Sequence, residues 1–440
     1  MSFGKKGKAR SEIVRDSVNT FGTNLFGSVL GLLSTVLVLR NVAAETKGFY
    51  NQVQVWGGGF NTVLGLSVTA AVIYYVARYK IKNAKAAIGK AAALLSVAIV
   101  LISAAVLFLM RGSHTFQKTP TSFLAAIVVY GLASFVFGIS TSILRGENKF
   151  KFYNIVNLTQ RVLVTVLNAY IAFRPSASLW IWGTVFISIA MVAFAFYGIT
   201  RWNGPQPEPA PGDDVPVPLG SVMGYSLKSH VSNILTYLNT NLGSYLVQGK
   251  YEMADFGVYN TAVTMMQQVW LLPDAVSQVI MSRLAAMQVQ SDKLRLTLLS
   301  SKLVTYVTTA GALLMLWVAR LLVPVLFPRY VGALDPLAYL IVGSIFISYA
   351  KVLTNSIAAY GRPELNILPN ALAAVINVAG SMLLIPLMGI NGIAAATSAS
   401  LTVQGLSSIA IFCAYSHTPF YRLLVPSREE IATVKRVFKR

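Results

Sequence analysis

The side chains with the most chemical capacity crowd into one stretch, Lys228 to Tyr245, KSHVSNILTYLNTNLGSY. It falls where a hydrophobic span is expected, yet it carries Lys228, His230, Ser232, Asn233, Thr236, Tyr237, Asn239, Thr240, Asn241 and Ser244. On a helix at about 100° per residue these groups cover an arc of about 220°, leaving Leu227, Val231, Ile234, Leu235, Leu238 and Leu242 in the remainder. An unpaired polar side chain in hydrocarbon costs roughly 1 to 3 kcal/mol, so the wide face must meet protein or a wet cavity. Two readings stand: interhelical hydrogen bonding, which small polar residues often supply, and a solvated cationic cavity, which the asparagines, the lysine and the histidine favour.

Other polar groups lie alone in apolar runs. Asp274 follows Pro273, and a carboxylate there is costly unless paired or protonated. It is either an ion-coupling site for a proton or sodium, or one half of a structural pair with a lysine such as Lys228 or Lys351. Lys351 and Arg161 are each cavity charges or snorkelling side chains. Near the N-terminus, Thr20, Thr23, Asn24, Gly27, Ser28, Gly31, Ser34 and Thr35 share one helical face. Gly27 and Gly31 read as a close-packing seam, whereas Asn24 fits either the seam or a cavity. Gly57, Gly58 and Gly59 cost a helix about 1 kcal/mol each relative to alanine, which close packing or a hinge would explain.

These groups must be positioned by membrane helices. Of 440 residues 55% are hydrophobic and 12% charged, with a mean hydropathy of +0.62, which is the composition of an all-α polytopic membrane protein. At about 20 residues per span, twelve spans are expected at 18–40, 50–77, 88–110, 122–144, 153–173, 179–200, 222–247, 256–282, 298–319, 334–357, 366–388 and 392–415. Most of the 36 Lys and Arg then fall in loops on the side of the termini, including a basic loop from Arg78 to Lys90, which puts both termini in the cytoplasm. The charge of +21 suits anionic lipid surfaces and needs no nucleic acid. The first span is its own insertion signal, since no cleavage site is visible.

Several classes drop out. Cys413 is the single cysteine, so neither a disulfide framework nor a thiolate metal site is expected, and no metal or cofactor beyond a coupling ion. His114 lies alone outside and His417 in the cytoplasmic tail, leaving no catalytic constellation, and there is no Gly-Lys-Ser/Thr loop for ATP.

Residues 202–220, with their prolines and acids, read as an extended cytoplasmic linker. It separates an N-terminal lobe, 1–201, from a C-terminal lobe, 221–415, followed by a basic tail, 416–440. The halves echo each other: Gly48-x-Tyr50-Asn51 recurs as Gly257-x-Tyr259-Asn260. Two six-helix lobes related by a pseudo-two-fold axis along the membrane normal follow.

The closing stretches carry a resemblance. Phe327 precedes Tyr330-Val331-Gly332-Ala333, and an Asn377-bearing span ends in Leu384-Ile385-Pro386 before Gly389, Ile390, Gly392, Ala394 and Ala395. Arg40 followed by Gly48-Phe49-Tyr50 adds a third segment, with Val42-Ala43-Ala44 where Leu-Gly-Pro is usual. This pattern resembles the polysaccharide-transporter branch of the multidrug/oligosaccharidyl-lipid/polysaccharide (MOP) exporter superfamily. The resemblance implies a flippase of the bacterial inner membrane that carries a polyprenyl-diphosphate-linked oligosaccharide outward by alternating access, for O-antigen, capsule or exopolysaccharide, beside a polymerase and chain-length proteins. Lys228, Lys351, Arg161 and Arg40 are the candidates for the diphosphate. Asn24, Asn233, Tyr237, Asn239 and Asn241 are those for the glycan, and Asp274 is that for ion coupling. A multidrug exporter of the same superfamily is the nearest rival, but organic cations would be repelled by a basic cleft. A membrane glycosyltransferase, polymerase or ligase would need a large external loop with carboxylates or histidines.

Overall fold

The computed structural model describes residues 22–202 and 216–425, apart from residues 24, 25, 28, 29, 32, 272, 275, 278, 279, 281–283, 285, 286, 288 and 361. The described chain is helical throughout. A first helix, α1, ends at Asn41 and is followed by α2 (Ala44–Leu64), α3 (Val68–Met110), α4 (Thr121–Gly146), α5 (Phe150–Phe173) and α6 (Ala177–Arg201). Then come α7 (Leu219–Lys250), α8 (Met253–Val269), helical residues between 271 and 284, α9 (Gln290–Leu326), α10 (Leu334–Ala359), α11 (Ile367–Met388) and α12 (Ile390–Ser416). Among the described residues eight helices are long and apolar enough to cross a membrane, or nine when α2 and the start of α3 count as one bent span. The helix carrying the polar run, α7, is not among them. Many large side chains such as Leu109, Phe173 and Leu387 face outward, which is the surface a lipid solvent selects.

The chain forms two compact units. The first comprises 1–237 with 248–257, and the second 238–247 with 258–440, so the division passes through α7 and the start of α8. The core of the first unit includes Tyr50, Phe116, Ile127, Trp180 and Val185, with Tyr50 stacked on Trp180 at a centroid distance of 3.9 Å. In the second, Leu353, Ile409, Phe412 and Leu423 pack together. The short turn Tyr421–Leu424 is docked here, its Leu423 carbonyl accepting from the Tyr349 hydroxyl at 3.3 Å.

Two expectations change, and between two readings of the glycine triplet one is observed. The basic stretch from Arg78 to Lys90 is helix rather than loop: α3 runs 43 residues and contains it, because lysine and arginine sustain helix well. The three glycines make no hinge, since α2 continues through them. A Cβ on Gly57 would lie 3.0 Å from the Ile127 carbonyl, with Gly131 facing it, so this glycine serves close packing with α4. The break instead falls at Gly65–Ser67, bending the span by 55°. Nor do Gly27 and Gly31 form a seam. Gly31 has no neighbour within 4 Å of its missing Cβ, and Gly27 makes room for a side chain, that of Arg161.

Tyr330 and Ala333 sit in a 3-10 turn, Pro328–Ala333, with both side chains buried. Gly389 separates α11 from α12 at φ 60°, ψ −131°, a conformation reserved for glycine.

Candidate functional site

In the first unit, the polar face of α7 is spent on the break between α2 and α3. Leu66 and Ser67 have φ of 46° and 53°, and left-handed backbone costs a side-chain-bearing residue about 1 to 2 kcal/mol. Such strain persists where the surroundings hold it. Asn233 donates from Nδ2 to the Ser67 hydroxyl oxygen at 2.9 Å, and His230 Nδ1 lies 3.2 Å from the same oxygen. One turn on, the Tyr237 hydroxyl donates to the Val55 carbonyl at 3.0 Å. Asn233 stays exposed and Tyr237 half-buried. Arg161 projects from α5 across α1, where a Cβ on Gly27 would fall 2.3 Å from its Cδ. Arg40 is exposed near the end of α1. Asn24 and the Lys228 side chain lie outside the described residues.

In the second unit α7 behaves differently. Asn239 is 2% exposed and joins a chain of uncharged hydrogen bonds. Its Nδ2 donates to Gln404 Oε1 at 2.9 Å, and Gln404 Nε2 donates to Asn370 Oδ1 at 2.6 Å. Asn377 Nδ2 donates to the Asn239 carbonyl at 2.9 Å, and Ser400 contacts Asn239 Oδ1. Asn239, expected to line a glycan path, therefore faces protein, because two amides and a hydroxyl use up its bonding capacity. Asn241 is half-buried nearby.

The same unit settles the two isolated charges. Lys351 Nζ lies 2.5 Å from Asp274 Oδ1, with side chains 22% and 46% exposed, and 4.7 Å from the centroid of the Trp270 ring. Trp270 and Asp274 are one helical turn apart, joined by the Asp274 N–H donating to the Trp270 carbonyl at 2.9 Å. The Trp270 indole N–H is buried without a partner. An ammonium and a carboxylate thus share one half-open patch beside the Trp270 ring, paired with each other. Sequence reasoning missed Trp270, Gln404 and Ser67, which bear no signal of their own; only their neighbours single them out. Among the described residues no cluster of His, Cys, Asp and Glu could hold a metal ion.

This all-helical architecture is similar to that of solved transporters of the MOP superfamily. The chain is similar to an inward-closed structure of the lipid II flippase MurJ, with 16% identity over 93% of this chain and 89% of that one and a TM-score of 0.70. It is also similar to an inward-facing MATE-family multidrug resistance transporter, with 13% identity over 92% and 98% and a TM-score of 0.65. A third similar structure is a MOP superfamily transporter from Pyrococcus furiosus, with 15% identity over 93% and 96% and a TM-score of 0.63. No curated protein matches the sequence significantly. The likeness is one of fold, a multi-pass helical membrane architecture. Residues 91–330 match the family model described as polysaccharide biosynthesis protein, and the chain belongs to that family.

Proposed function

We propose that the chain is a flippase for a polyprenyl-diphosphate-linked oligosaccharide, moving it from the cytoplasmic to the external leaflet of a bacterial inner membrane with both termini cytoplasmic. The observation that carries this reading is the family match over residues 91–330 together with the half-open patch of Lys351, Asp274 and Trp270. Carrying a diphosphate through bare hydrocarbon would strip water from its charges, a barrier on the order of tens of kcal/mol by Born-type estimates. A cationic donor patch lowers it while the lipid tail stays in the bilayer.

The ion pair suggests how coupling and substrate meet. While Asp274 is ionised it occupies the Lys351 ammonium. A proton or sodium ion on the carboxylate, or a competing diphosphate, releases that ammonium over the Trp270 ring. Binding and ion coupling thereby act on one bond, and alternating access of two lobes around the polar residues completes the cycle. Arg161, Arg40 and Lys228 are further phosphate candidates, while Asn24, Asn233, Tyr237 and Asn241 are glycan candidates. A polymerase and chain-length proteins would act on the product.

The test is reconstitution with a fluorescent polyprenyl-diphosphate oligosaccharide in vesicles. Protein-dependent exposure of the label on the far leaflet is expected, weakened in Lys351→Ala at unchanged protein level. Label that stays put while an organic cation is transported instead would replace this reading with a drug exporter.

A further inference from the structure

A buried lysine of the second unit plays no part in the reading above. Lys302 is 4% exposed on α9, where Leu298, Ser301, Thr305 and Thr308 are buried with it. At about 100° per residue these side chains share an arc of about 120°. A charge enclosed in a membrane helix is expensive, and such groups mark functional sites. The Lys302 ammonium donates to the Val425 carbonyl at 3.1 Å. From α10 the Tyr349 hydroxyl, also buried, donates to the Leu423 carbonyl at 3.3 Å. One turn along α9 the two helices are tied together, with Ser348 Oγ donating to Thr305 Oγ1 at 3.1 Å. Two enclosed donors on adjacent helices therefore converge on carbonyls two residues apart.

Those carbonyls belong to the segment Thr418–Val425, which folds back after α12. His417 ends α12 at φ 52°, ψ 31°, and the next N–H, that of Thr418, donates to the Cys413 carbonyl at 3.1 Å. The segment's grip is narrow. Leu423 and Thr418 are buried, whereas Phe420, Tyr421 and Val425 are 48%, 61% and 61% exposed. The oxygens it offers lie at the end of a single helical turn, Tyr421–Leu424, where carbonyls lack helical partners and carry partial negative charge. A lysine that merely caps a surface turn keeps its head in water; this one is enclosed. Bonds from an ammonium to an ionised oxygen are roughly twice as strong as bonds between neutral groups, so a phosphate oxygen outbids a carbonyl here.

We propose that Lys302 and Tyr349 form a second anion site, which takes a phosphate group and is filled in this structure by the Leu423 and Val425 carbonyls. It is distinct from the Lys351 patch, because Tyr349 and Lys351 are two residues apart on α10 and point about 200° away from each other. Phosphate and segment compete: an arriving anion lifts Thr418–Val425 from α9 and α10, and the docked segment keeps weak ligands out. This goes beyond the flippase reading and holds whatever the cargo. The phosphate comes either from a lipid headgroup or from a free anion.

The test uses the full chain with Cys413→Ser and Tyr421→Cys, spin-labelled at position 421 in phosphatidylcholine nanodiscs. The label should be ordered in chloride and become mobile with inorganic pyrophosphate or with dioctanoyl phosphatidate. Release by pyrophosphate assigns the site to a free anion, and release by phosphatidate alone assigns it to a lipid headgroup. A label that stays ordered with both overturns the proposal. Leu423→Ala loosens the segment and leaves both donors, so calorimetry should find the releasing anion bound at least about tenfold more tightly. Unchanged affinity would mean that anion and segment do not compete, which also overturns it. Lys302→Met should lose anion binding and Lys302→Arg retain it; binding undiminished in Lys302→Met sinks the assignment. If Lys302→Met does not fold, the Leu423→Ala titration still decides.

Discussion

The Lys351 ammonium and the Asp274 carboxylate, 77 residues apart in sequence, meet at 2.5 Å. Removing either leaves a charge stranded in a half-buried site, whereas removing both leaves neither. Asp274→Asn and Lys351→Met should each destabilise the protein more than the double variant implies by addition. The half-exposed setting limits the coupling to on the order of 1 kcal/mol. Thermal unfolding of the four proteins in one detergent measures it, and additive shifts would dissolve the pair as an energetic unit. In transport, Asp274→Asn should keep glycan-lipid binding and lose dependence on an ion gradient.

Asn239 is the centre of the amide chain in the second unit. Asn239→Ala leaves the Gln404 side-chain carbonyl short of its donor in a buried place, at a cost of about 1 to 3 kcal/mol, while Asn377 keeps the backbone carbonyl. Asn233→Ala, at an exposed position, should cost far less. A comparison of melting temperatures that ranks these the other way would show that the amide chain is slack.

Gly389 carries φ 60° and ψ −131°, outside even the left-handed helical basin that asparagine tolerates. Gly389→Ala should therefore cost about 1 to 3 kcal/mol, and Gly389→Asn should not recover it. Full recovery by asparagine would place the residue in the ordinary left-handed region.

Arg161 lies over Gly27. Gly27→Leu fills that space and should reduce transport by pushing the guanidinium aside, as Arg161→Ala does by deletion. If both act through the same side chain, the double variant is no worse than the poorer single one. Multiplicative losses in the flipping assay would separate the two residues.

Glu252 accepts a hydrogen bond from the Lys118 ammonium, whose charge and bond together hold its carboxyl below the usual carboxylate range. A depressed carboxyl contributes stability that is complete above the unfolded titration range and is lost as pH falls through the folded value. Lys118→Met should raise the Glu252 titration midpoint, as read by carbon-13 NMR of glutamate-labelled protein; an unmoved midpoint would mean that the pair is not populated in solution.

Much of the fold was readable from composition and pattern. Apolar runs of span length, the positions of the basic residues and the odd polarity of α7 all follow from the cost of placing each group in hydrocarbon. Secondary structure was less secure at its breaks. Gly57 to Gly59 read as close packing or a hinge, and Gly57 is packed closely on α4 while α2 breaks further on, at Leu66 and Ser67, where nothing in the residue types announces a left-handed backbone. What holds that break, Asn233 and His230, comes from a helix more than 160 residues away.

The sequence by itself determined that the chain spans a membrane, that one helix must hide a wide polar face, and that Asp274 and Lys351 each need a partner, because transfer energies and helical periodicity are local properties. Only the tertiary structure decided that those two charges satisfy each other and that Asn239 spends its amide on protein. Periodicity says which face a residue occupies on its own helix, but which neighbour meets that face depends on contacts between distant segments, and these exist only once the helices have packed.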